Sequence, residues 1–235
     1  MTVKEAGFVS KVGTLARKDL RAEARARDTL PPMLAFSFAV LLVLAFTLPE
    51  TERVARSARA DVLAGFLWIT ILFAGLIGFA RTFESEKDEG ALDSLLLVPL
   101  DRSGLFLAKA GANLIYVVAL EVFIVPLFAL IFDIDLGIGW PGFLLVVVLA
   151  DIGFVLIGTL FSAVAAHTRS KELILPLLSL PTLVPVFIAA TELTSDLFLG
   201  SGLALVAERG WFGILAGFDL LFIVVGSLAF EFTID

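Results

Sequence analysis

Cysteine is missing from this 235-residue chain, histidine and tyrosine occur once each (His167, Tyr116), and methionine occurs twice (Met1, Met33). Without cysteine there is no disulfide framework, no thiolate nucleophile and no thiolate metal ligand. Charge is scarce too. Only 17 % of the residues are Asp, Glu, Lys or Arg, where a soluble domain carries about a quarter. The net charge is −7, so no nucleic-acid partner is expected. The phosphate-cradling pattern G-x-x-x-x-G-K-[ST] is absent as well, so ATP hydrolysis is expected elsewhere and the chain is not read as an enzyme. No catalytic or metal-binding set emerges. The opening MTVKEAGFVSKVGTLARKDLRAEARARD is charged throughout and has no apolar h-region, so it does not read as a signal peptide.

What the chain has instead is long apolar runs. Hydrophobic residues make up 59 %, and the mean hydropathy is +1.01. A bilayer-spanning helix needs about 20 such residues. Six stretches qualify: 31–49, 62–80, 110–132, 140–166, 173–191 and 211–230. They are too long, and alternate too little, to be β-barrel strands. The fifth carries Pro176, Pro181 and Pro185, read as helix-breaking positions, and demoting it would leave five spans. Membrane helices tolerate proline where neighbours re-satisfy the freed carbonyls, so six spans are retained. The expected architecture is an all-α polytopic membrane protein. Residues 1–30 form an amphipathic segment, 31–230 a six-helix transmembrane domain and 231–235 a short tail.

Lysine and arginine set the orientation. The N-terminal segment and the 81–109 and 167–172 loops hold thirteen, against four in the alternate loops. The positive-inside rule then puts both termini and the 81–109 loop in the cytoplasm. In the N-terminal segment Phe8, Val12, Leu15 and Leu20 recur near helical spacing, among Lys11, Arg17, Lys18, Arg21, Arg25 and Arg27. This suits a helix on the inner membrane surface with its basic residues near anionic headgroups; the alternative is a disordered basic tail. TLPPM (29–33) ends that helix and turns the chain into the first span.

The 81–109 loop opens with Glu84, Glu86, Asp88 and Glu89, followed by Gly90 and then by Leu92, Asp93, Leu95, Leu96 and Pro99. Acidic side chains suit a helix start, the three leucines share a face, and Pro99 closes a short coupling helix between spans two and three. Gly90 supplies a positive φ or a close backbone approach. The leucine face has three possible covers: lipid, the chain's own spans, or a groove on a cytoplasmic partner. Five acidic side chains in residues 84–93 fit poorly against an anionic leaflet, which favours the partner. Inside the spans stand Glu121, Asp151 and Asp219, each costing at least ~2.5–3.5 kcal/mol if charged and unpaired. They either line a polar, proton-sensitive cavity, or are neutral carboxyls bonded to backbone, Thr159 or Ser162. Gly153, Gly158, Ser162 and Ala165 let the fourth helix approach its neighbours closely.

RTFESEKDEGALDSLLLVPLDRSGLFLAK (81–109) resembles the cytoplasmic loop of ABC-2-type permeases, with Gly90, Leu92, Asp93, Leu95, Leu96, Pro99 and Lys109 in matching places. ILPLLSLPTLVPVFIAAT (174–191) is similar to the proline-rich fifth span of the heme exporter protein B family, the permease subunit of system I cytochrome c maturation. The resemblance implies a bacterial inner-membrane protein, a homodimer bound to two copies of a separate ATPase that holds the ATP. It also implies heme-handling membrane subunits C and D, and ATP-dependent release of a heme-loaded periplasmic chaperone. Heme iron takes His, Cys, Met or Tyr, and only His167, Met1, Met33 and Tyr116 are on offer. None forms an outward-facing pair, and Trp68, Trp140 and Trp211 are scattered. No cofactor is therefore expected on this chain, and heme is a handled ligand. The rival readings are an ABC-2 permease exporting a polysaccharide or drug-like molecule, and a membrane scaffold without ATP coupling. The topology is directly testable: reporter fusions at Ile234 and within LTSDLF (193–198) should report inside and outside respectively, and the same side for both would refute it.

Overall fold

The computed structural model describes residues 7–48, 55–83, 102–166, 168 and 171–233. The acidic stretch 84–101 and His167 lie outside the described residues. The elements are α1 (Phe8–Ala26), α2 (Leu30–Thr47), α3 (Arg56–Phe79), α4 (Arg102–Phe132), a 3-10 turn (Gly137–Gly139), α5 (Trp140–Ala166), α6 (Lys171–Phe198), α7 (Leu203–Ala207) and α8 (Trp211–Thr233). No strand occurs among the described residues. Six helices, α2, α3, α4, α5, α6 and α8, are long and apolar enough to cross a membrane, and the chain is a multi-pass membrane protein. Helix is the local outcome because hydrocarbon offers no partner for a backbone N–H or C=O, so each segment must satisfy its own.

Helix α3 starts at Arg56, six residues before the run read as the second span, and α6 continues past residue 191 to Phe198; α4 starts at Arg102, ahead of the apolar run 110–132. The extra turn of α6 carries Thr194, Ser195 and Asp196, which read as loop by composition but are buried. LTSDLF is thus helical, and the first open position after it for a reporter is Gly200, exposed with φ +90°. Pro176, Pro181 and Pro185, read as helix-breaking positions within a span that was nonetheless retained, all lie inside an unbroken α6. Each removes one backbone N–H, and α5 and α3, which flank α6 along its length, hold the helix together around them. At the other junction Arg27 takes a left-handed φ of 58° after α1, and Pro31 and Pro32 fill the first turn of α2.

The spans alternate in direction. One end of the bundle, the α1 end, gathers the starts of α2, α4 and α6 with the ends of α3, α5 and α8. At its centre are α3 and α5, with 67 % of their apolar windows buried against 22 % for α2 and α8. These two run the same way and key into each other through one Gly and one Phe apiece. The Phe154 ring fills the space a side chain at Gly75 would need, and the Phe79 ring does the same at Gly158. The two rings meet at 4.8 Å between centroids. Lipid solvates leucine as well as protein does, so close fit of this kind must supply the adhesion. Gly78 likewise admits Met33, whose sulfur lies 2.7 Å from where a Cβ would stand, and Gly226 admits Phe106. Of the small residues read on the fourth span, Gly158 therefore faces α3, while Gly153 faces Asp219 and Val186.

A Gly158→Val variant should lose about 1–3 kcal/mol, the usual effect of overpacking, and melt earlier in detergent. Gly65→Ala, where nothing lies within 4 Å, should melt no earlier than the native chain. Equal melting of both variants would show that the keyed contact carries no stability.

Candidate functional site at the base of the acidic loop

After α3 the chain makes one more turn, with Arg81 N–H bonded to Gly78 O (3.0 Å) and Thr82 N–H to Phe79 O (3.1 Å). That turn ends at Phe83, the last described residue before the acidic stretch, and the chain returns as α4 at Arg102. Two turns into α4 stands Lys109, 4 % exposed. A cation buried this deeply needs partners. Its Nζ lies 3.1 Å from Asp19 Oδ2 on α1 and donates to Thr82 O at 3.3 Å. It also sits 5.4 Å from the centroid of the Phe83 ring, within cation–π range.

One turn further along the same face of α4, Asn113 donates its amide to Thr159 Oγ1 on α5 at 2.9 Å. The Thr82 hydroxyl bridges the same amide, 3.2 Å from Oδ1 and 3.1 Å from Nδ2. Asp19, Thr82, Lys109, Asn113 and Thr159 thus form one polar hub joining α1, α3, α4 and α5. Both roots of the acidic loop are tied into it.

The sequence singled out Lys109 only as a motif match, and Asp19 not at all. Asp19 comes one turn after Leu15, so an acid interrupts the apolar stripe of a mostly basic helix. That interruption was the available signal. The stripe was expected to lie on lipid. In the structure α1 leans on α4, Leu15 packs against the core, Phe8 is exposed, and Arg17, Lys18 and Arg21 face outward. Glu84, Glu86, Glu89, Gly90, Leu92, Asp93, Leu95, Leu96 and Pro99 all lie outside the described residues.

The three intramembrane carboxyls are all buried. Glu121 on α4 and Asp151 on α5 face each other. Each stands eleven residues from the far end of its helix, at Phe132 and Trp140, or about 16 Å in at the helical rise. Thr159 and Ser162, the hydroxyls expected to bond them, are occupied elsewhere, Thr159 by Asn113 and Ser162 by the Thr159 carbonyl. Asp219 on α8 rests against Gly153 instead, its Oδ1 2.8 Å from where a Cβ would stand. Among the described residues no three acidic or histidine side chains converge as a metal would need. Of the possible heme donors, Met33 is enclosed against Gly78, and Tyr116 is half-buried beside Met33, Ala74, Leu120 and Ile124.

The far end holds a second polar tie that sequence reasoning missed. Three consecutive α6 side chains reach different partners. Thr194 accepts from Trp68 Nε1 (2.9 Å), Ser195 donates to Asp61, and Asp196 pairs with Arg209 (3.1 Å). The first two fix α6 to α3. Arg59 adds a bond from α3 to the Phe132 carbonyl at the end of α4 (3.0 Å).

The contact between Glu121 and Asp151 can be measured by a double-mutant cycle. Glu121→Leu and Asp151→Leu should each destabilise the chain more than the pair together predicts, with a coupling of about 0.5 kcal/mol or more in detergent unfolding. Strict additivity would show that the two carboxyls act independently.

Comparison with known proteins bears on residues 10–235, which match the family described as CcmB protein. Heme exporter protein B of Rhodobacter capsulatus is 31 % identical, with 76 % of this chain and 80 % of the relative covered. The protein of the same name from Paracoccus denitrificans is 29 % identical over 74 % and 78 %, and that from Haemophilus influenzae 25 % identical over 70 % and 72 %.

Proposed function

The chain belongs to the CcmB protein family, and on that premise we propose that it is the membrane-spanning subunit of an ABC transporter that handles heme for cytochrome c maturation. Its similarity to proteins named heme exporter protein B supports the substrate class. With no phosphate-cradling loop in its sequence, it takes its work from a separate ATPase. The docking element is the acidic segment, with Leu92, Leu95 and Leu96 buried in an ATPase groove and the flanking carboxylates of Glu84, Glu86, Glu89 and Asp93 on its basic rim. Gly90 lets the two backbones approach, and Pro99 ends the element.

The observation that carries this reading is the hub. A push on the loop acts at its roots, and both roots are bonded to α5 through Asn113 and Thr159. Helix α5 is keyed in turn to α3 by the Phe79–Phe154 contact. Movement at the base therefore reaches the two most enclosed spans as one body. Two copies of the chain assemble with two ATPases and with the heme-handling subunits C and D, and the cycle releases the heme-loaded periplasmic chaperone. The membrane is the bacterial inner membrane, with both termini and the hub on the cytoplasmic side. Heme passes between partner subunits, and this chain supplies motion.

Affinity purification from native membranes tests the proposal. The native chain should bring down an ATPase together with heme-handling subunits. Leu95→Asp with Leu96→Asp should insert normally but lose the ATPase. Unchanged co-purification and ATP turnover in that variant would refute the docking role. A native preparation without any ATPase would instead favour a scaffold.

A further inference from the structure

We infer that the Asp19–Lys109 ion pair is a releasable joint, by which α1 is held to the base of the acidic loop and let go during the transport cycle, so that Asp19 is a positioning residue for ATPase coupling. The inference rests on the coupling role proposed above.

Three observations lead to it. The first is the choice of chemistry. Burying an ion pair carries a desolvation penalty that apolar side chains of similar size avoid. A permanent strut between α1 and α4 would be at least as firm if it were apolar. A charged pair fits a contact that must also open.

The second is the asymmetry of the two partners. The Lys109 side chain is 5 % exposed and the Asp19 side chain 14 %, so the cation is fixed in the bundle while the acid stands nearer the water. When Asp19 leaves, Lys109 is not stranded. The Thr82 carbonyl and the Phe83 ring stay beside its ammonium group, while the freed carboxylate moves into solvent. Each side of the broken joint has somewhere to go, and that keeps the opening reversible.

The third is position. Thr82 and Phe83 close the α3 root of the loop, and both contact Lys109 directly. A shift of that root changes the ammonium group's other partners, and with them its hold on Asp19. Along the rest of α1, Leu15 reaches the core and Val12, Ala16 and Leu20 are half-buried, while Phe8, Gly13, Arg17, Lys18 and Arg21 are exposed.

The test uses the full complex purified through its ATPase. Asp19→Asn should raise tryptic cleavage within α1, at Arg17, Lys18 and Arg21, by about tenfold, the scale of one charge-assisted hydrogen bond. The ATPase should remain bound. Asp19→Glu should behave as the native chain does. The decisive variant is Asp19→Leu with Lys109→Met, an apolar joint that cannot hydrate. It should keep α1 as protected from trypsin as in the native chain and retain the ATPase, yet slow ATP turnover about fivefold or more, the lower end of typical allosteric coupling. Native turnover in that double variant would reduce the pair to a strut and overturn the inference. So would Asp19→Asn with unchanged trypsin sensitivity. Absence of the ATPase from the native preparation would count against the function proposed above; the trypsin comparison would still decide whether the pair holds α1.

Discussion

Hydrocarbon solvates a leucine as well as a protein interior does, so what holds these spans together is shape and the few polar bonds that reach between helices. The reciprocal insertion of Phe154 over Gly75 and Phe79 over Gly158 is the contact on which the rest depends. It fixes α3 to α5 in both register and rotation. A ring in a glycine notch admits neither sliding nor turning without a clash. Every other feature is placed relative to this pair. Helix α6 lies against both members, α4 reaches α5 through Asn113, and Met33 of α2 fills the notch at Gly78.

Around that keyed centre the polar bonds are sorted toward the two ends. At the α1 end, Thr82 ties α3 to α4. At the far end, Asp61 and Trp68 tie the same helix to α6. Helix α3 is thus held by α6 over its first half, through Asp61 and Trp68, and by α5 and α4 over its last turns, through Gly75, Phe79 and Thr82. A displacement of its loop-bearing end cannot be absorbed locally. Apolar fit transmits it to α5, and the far-end bonds transmit it to α6.

The six spans were legible because apolar runs of bilayer length admit one outcome, and the helix-lined junction at Pro31 and Pro32 because proline is preset for a first turn. The close-packing role of Gly158 was legible from its place among small residues. Its partner Phe79 was not, since nothing in a sequence says which span faces which. Thr194, Ser195 and Asp196 were misread as loop for a physical reason. Polar residues inside a helix end look like solvent-facing ones until their partners are known, and here those partners lie on α3 and in the turn before α8. The fifth span was legible in spite of its prolines because flanking helices support a membrane helix around them, though the three positions read as breaks do not interrupt α6. Lys109 was legible as a motif residue, but its role needed Asp19, ninety residues earlier in the chain.

Glu121 and Asp151 also bear on the order in which the protein is made. Glu121 leaves the ribosome thirty residues ahead of Asp151, so α4 must enter the bilayer before its carboxyl has met its counterpart. The penalty of roughly 2.5–3.5 kcal/mol on insertion scales is small beside the favourable transfer of the apolar run that surrounds Glu121 in α4, and α4 inserts regardless. Until α5 follows, Glu121 gives one face of a nearly uniform apolar cylinder a distinguishing mark. The arriving helix carries the matching mark at the same depth, so the face of α4 that receives α5 is addressed during synthesis, before any loop or partner subunit is in place to direct it.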